Sequence, residues 1–84
     1  MRSVEFKRFS EYDQRSLFEI RLNNDFEARK FTGAFNDLRG EDYKFVVEAY
    51  EDKYDKCLVK VVFSSQAMSE KSVKIGIDNI LNAM

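Results

Sequence analysis

Chemistry in a short chain is usually carried by histidines, cysteines, paired carboxylates and clustered glycines, and this sequence is sparing with all of them. Histidine is absent, which removes the commonest general base and the commonest metal ligand together. Zinc centres and Ser-His or Cys-His nucleophile pairs are thereby excluded in their usual forms. The lone Cys57 can make no internal disulfide, and its parity with Val59 and Val61 predicts a small buried hydrophobe rather than a reactive thiol. Carboxylates do occur in pairs, Glu41 with Asp42 and Glu51 with Asp52 near Asp55. They stand in polar stretches beside Lys44, Lys53 and Lys56, so solvated turns are expected, not the cleft and raised pKa that hydrolytic carboxylates need. Asp52 to Asp55 also lacks the glycine and ligand spacing of a calcium loop. Gly33, Gly40 and Gly76 lie singly, outside any phosphate-cradling pattern. No catalytic, metal or cofactor-binding residue is predicted, and a non-enzymatic protein without a cofactor is expected.

The elements follow from periodicity. Four strands are predicted by alternation: residues 3–9, with Val4 and Phe6 on one face; residues 16–23, with Phe18, Ile20 and Leu22 opposite Glu19 and Arg21; residues 43–50; and residues 57–63. The last strand is apolar on both faces, which predicts a central position. A helix is predicted from Asn24, an N-cap with Glu27 three residues on, to Gly40 at the C-cap, with Ala28, Phe31, Ala34, Phe35 and Leu38 as its apolar stripe.

The segment 71–81 alternates like a strand through Val73, Ile75 and Ile77, yet repeats like a helix through Val73, Ile77, Ile80 and Leu81. The first half of the chain decides between them. At an offset of 42, Phe31 falls on Val73, Ala34 on Gly76, Phe35 on Ile77 and Leu38 on Ile80, so the pattern of one ββα unit is written twice. A helix from about Met68 to the C-terminus, capped by Ser65 or Ser69, is predicted, with Ile75 pointing away from the core on the same side as Met68. The fold class is then α+β, a ββαββα two-layer sandwich of one domain, residues 1–84. By analogy with a ferredoxin-like sandwich, an antiparallel four-stranded sheet in the order 1-2-4-3 would carry both helices on one face. That is a ferredoxin-like order with its last strand moved to the front; a ββα duplication with another strand order is the alternative.

Composition narrows function by exclusion. Fourteen basic and fifteen acidic residues nearly cancel, so no global field attracts nucleic acid or anionic membrane. No apolar run approaches the roughly 18 residues of a membrane span. Arg2, Glu5, Lys7 and Arg8 interrupt any leader-like run, and a cytoplasmic location is expected. On the outer sheet face, Lys7, Arg21, Lys44 and Lys60 are interleaved with Glu5, Glu19 and Glu48, which suits cross-strand pairing better than phosphate binding.

What remains is a surface for another protein. The third strand is predicted at the sheet edge, long, β-prone and weakly charged, and such edges invite pairing. The candidate interface comprises Lys44, Val46, Glu48, Tyr50, Leu58, Val62, Met68 and Ile75. Its expected occupant is a host protein or a second copy of the chain, the latter as a homodimer through the third strand. The function expected is a small protein-interaction module, of the kind that phages and mobile elements use to block a host enzyme sterically. A nucleic-acid-binding regulator using Arg2, Lys7, Arg8, Arg15 and Arg21 is the alternative.

Overall fold

The computed structural model describes residues 1–8, 14–43 and 45–84. Strands β1 (Ser3–Arg8) and β2 (Arg15–Arg21) precede helix α1 (Asp25–Arg39). A short 3₁₀ turn (Glu41–Tyr43), strands β3 (Val47–Glu51) and β4 (Leu58–Ser64) and helix α2 (Glu70–Ala83) follow. The sheet is antiparallel throughout, in the order β1-β2-β4-β3. The ββαββα sandwich therefore stands as the sequence pattern predicts it, and the strand order is the one expected from the ferredoxin-like arrangement rather than the alternative.

One core fills the space between sheet and helices. Phe18 and Ile20 of β2, Val59, Val61 and Phe63 of β4, and Val47 and Ala49 of β3 meet Ala28, Phe31 and Phe35 of α1 and Val73, Ile77 and Ile80 of α2. Every second strand residue points inward, so a two-residue period in the sequence becomes one buried face. At the β1 side the core ends in aromatic rings. Phe6 stands edge-on to Phe18 at 5.2 Å, and Phe18 stacks on Phe63 at 5.9 Å.

Both helix starts are fixed by side-chain caps. The Asn24 side chain accepts from the Glu27 backbone N–H at 2.8 Å. The return bond of the cap comes from Asn23, whose N–H donates to Glu27 Oε1 at 3.1 Å, one residue earlier than a capping box has it. Arg2 grips the same carboxylate through Nε and Nη2, at 3.2 and 2.9 Å. With this support the Glu27 carboxyl is held down to about 2, chiefly by the Arg2 hydrogen bonds and then by the Asn23 N–H. Arg2 Nη1 also donates to the Leu81 carbonyl in the last turn of α2. The start of β1 is thus tied to the first turn of one helix and the last turn of the other. Ser69, and not Ser65, caps α2, accepting from Ser72 N–H at 3.1 Å.

The third strand departs from its predicted span. Tyr43, Phe45 and Val46 are not extended: Val46 N–H donates to the Tyr43 carbonyl at 2.9 Å, closing a turn after the 3₁₀ segment. The ladder with β4 starts only at the Val46 carbonyl, which accepts from Ser64 N–H. The physical reason lies at Gly40, where φ 75° and ψ 172° place the backbone in a region essentially reserved for glycine. The chain leaves the helix layer there and descends to the sheet edge through the turn before it can become a strand. Leu38 is a second departure. Its repeat counterpart Ile80 is buried, whereas Leu38 is 65% exposed, because among the described residues nothing closes over it at the end of α1.

Candidate protein interface

The eight residues proposed from sequence do not form one surface. Lys44 lies outside the described residues. Val46 is half-buried in the turn before β3, engaged through its backbone at both groups. Glu48 and Tyr50 of β3 and Leu58 and Val62 of β4 do share the outer face of the sheet, with Glu48 directly opposite Val62 and Tyr50 opposite Lys60. Met68 and Ile75 belong to the helix side. Met68 is half-buried against the core just before α2, so the expectation that it shares Ile75's open side fails: it precedes the helix and does not follow its period. Ile75 itself is 53% exposed, as the helical reading requires.

On the outer face the charged residues are largely occupied with one another. Lys7 pairs with Glu19 at 2.8 Å, Arg21 with Asp55 at 2.8 Å and Lys60 with Asp52 at 3.3 Å. Glu5 stands directly opposite Glu19 in the ladder, and the Lys7 ammonium is raised above its ordinary value first by its hydrogen bond to Glu19 and then by both carboxylates. The acidic turn between β3 and β4 is explained by structure alone. Asp52 accepts from the backbone N–H groups of Tyr54 and Asp55, and these bonds, ahead of Lys60, hold its carboxyl below the usual range. Asp55 is held down first by Arg21 and then by the Cys57 N–H. Cys57 is half-buried, not buried. It stands one residue before β4, where its carbonyl accepts from Leu22 N–H at 2.8 Å.

The edge of β3 is not open at its centre. In an antiparallel ladder, residues alternate between bonding the partner strand and pointing their N–H and C=O away from it. Val46 and Asp52 bond β4, so Val47, Ala49 and Glu51 point outward. The Asn36 side chain of α1 meets Ala49 there as another strand would, Nδ2 donating to the carbonyl at 2.9 Å and Oδ1 accepting from the N–H at 3.0 Å. Arg39 Nη1 donates to the outward Val47 carbonyl at 3.1 Å. α1 therefore supplies the cover that an exposed edge otherwise lacks, and a partner strand could add along β3 only by displacing it.

The helix side carries what the sequence did not single out. Leu38 stands between two apolar grooves. One, of about 250 Å³, lies between α1, the 3₁₀ turn and the start of α2, and is walled by Phe35, Tyr43, Met68 and Val73 with Gly76 at its floor. The other, of about 430 Å³, runs between the helices past Ala34, Ile80, Ala83 and Met84. Tyr43 is exposed beside them. The usable signal was Ala34 and Gly76 falling on equivalent, core-facing positions of the repeat, since small residues leave a trough between helices. Among the described residues no group of carboxylates and thiol is arranged to hold a metal ion, and no helix is long and apolar enough to cross a membrane. Compared with protein families, with curated proteins and with solved structures, the chain matches none.

Proposed function

We propose that the chain is a small non-enzymatic interaction module that occupies, and so sterically blocks, an apolar surface of a partner protein. The observation that carries this reading is the helix face: an exposed leucine between two apolar grooves, rimmed by Tyr43. Concave apolar lining beside a protruding aliphatic anchor is what the centre of a protein interface requires. The outer sheet face supports it less, because its charges already find partners within the chain. The nucleic-acid reading loses support for the same reason. Arg2, Lys7 and Arg21 are each paired with a carboxylate, so their charge toward a phosphate is largely cancelled.

The test is affinity capture from the cell of origin with the wild-type chain and with Leu38→Lys. Leu38 is exposed, so the variant should melt like the wild type. The proposal expects one protein, captured stoichiometrically by the wild type and lost with the variant. Capture that Leu38→Lys leaves unchanged would sink it. Salt-sensitive retention on RNA or heparin, equal for both chains, would put the nucleic-acid reading in its place.

A further inference from the structure

The two edges of the sheet are treated differently, and the difference points to a partner. Cys57 bonds Leu22 through the ladder register of β2 and β4, so Phe18 and Ile20 bond β4 and Leu17, Glu19 and Arg21 bond β1. In β1 it follows that Ser3, Glu5 and Lys7 bond β2, while Val4, Phe6 and Arg8 turn their N–H and C=O to the outer edge of the sheet. No described side chain plays for them the part that Asn36 and Arg39 play for β3. Phe6 is also 37% exposed on the helix side of this edge.

We propose that β1 pairs antiparallel with β1 of a second copy, about a two-fold axis at Phe6, so that two four-stranded sheets become one of eight strands. A two-fold contact places the same strand on both sides, and only a few registers bring outward groups to outward groups. Charge selects among them. With the axis at Glu5, Glu5 faces its own copy; with the axis at Lys7, Lys7 does; with the axis at Arg8, Arg8 does. Like charges directly opposite are destabilising. With the axis at Phe6, Glu5 faces the other copy's Lys7 twice over, Val4 faces Arg8, and Phe6 faces Phe6. Val4, Phe6 and Arg8 of each copy then contribute one donor and one acceptor apiece, making six inter-copy hydrogen bonds. The two Phe6 rings extend the aromatic row that runs through Phe18 to Phe63. An axis at Val4 keeps Val4 against Val4 but pairs neither Glu5 nor Lys7 with an opposite charge.

Molar mass in solution, read by light scattering or sedimentation across concentration, tests this with charge swaps. Glu5→Lys sets Lys against Lys across the axis, yet within the chain it replaces Glu5 opposite Glu19 by an attractive pair, so its fold is kept. Lys7→Glu sets Glu against Glu. Each variant alone should dimerise roughly tenfold or more weakly than the wild type. Mixed one to one they should recover the dimer, since lysines of one copy then face glutamates of the other. Arg8→Pro, which removes an outward donor without touching the β2 ladder, should weaken it independently. A wild type that stays monomeric up to about 1 mM, variants that dimerise as the wild type does, or a mixture of folded variants that stays monomeric would each overturn the proposal. None of these outcomes bears on the Leu38 grooves, which lie on other elements.

Discussion

Asn36 offers the sharpest test of how the fold protects itself. Replacing it with Ala deletes both hydrogen bonds to Ala49, at 2.9 and 3.0 Å. A typical intramolecular hydrogen bond contributes about 1 kcal/mol net, so the pair sets an upper figure of roughly 2 to 3 kcal/mol. Two effects reduce it: water reaches the freed edge groups, and Ala is the better helix former by roughly 0.5 kcal/mol. A loss of about 1 to 2 kcal/mol remains, which for a domain of this size lowers Tm by roughly 5 to 15 °C. Urea denaturation followed by circular dichroism should show the same loss at unchanged m-value. Asn36→Asp should be at least as costly, because it keeps the acceptor for Ala49 N–H but sets a carboxylate against the Ala49 carbonyl. The alanine variant, with its edge bared, should also aggregate sooner on heating. An Asn36→Ala chain within about 0.3 kcal/mol of the wild type would show that the amide bridge is incidental and the argument wrong.

Two further outcomes follow from side chains already placed. Ile75→Lys should change stability by less than about 0.5 kcal/mol, as thermal melting will show; a large loss would mean that α2 does not present this face to solvent. Glu27 has a folded-state pKa lowered from 4.5 to about 2, so its contribution is complete above pH 4.5 and is lost as pH falls from there toward 2. The stability difference between wild type and Glu27→Gln, measured by urea denaturation, should shrink across that window and be flat above it.

Much of the architecture was legible because it rests on local period. Phe18, Ile20 and Leu22 alternate with charge, and α2 declares itself through Val73, Ile77 and Ile80 once the first half of the chain is laid beside the second. The capping residues Asn24 and Gly40 could be named, and Ser69 as one of two candidates, because a cap acts on a backbone group three or four residues away. The span of β3 could not be read, since Tyr43 and Phe45 are as β-prone as Val47 and only the descent from Gly40 forbids them the ladder. Nor could the fate of Leu38, which satisfies the same period as Ile80. Burial there depends on which element covers it, and no pattern within a helix states that.

The candidate interface suffered most from this limit. Alternation correctly put Glu48, Tyr50, Leu58 and Val62 on one face, but it could not report that Asp52, Asp55 and Glu19 are close enough to neutralise the bases around them. It likewise placed β3 at an edge without revealing that Asn36, thirteen residues earlier, closes it. Sequence alone determined which elements form and most of the residues each turns inward, because these depend on the period of side chains and on caps a turn away. Only the tertiary structure decided which edge a helix side chain closes and which apolar residues stay in water. Those outcomes depend on elements distant in sequence arriving at one place, where a side chain from a helix can satisfy, or leave unsatisfied, the backbone of a strand.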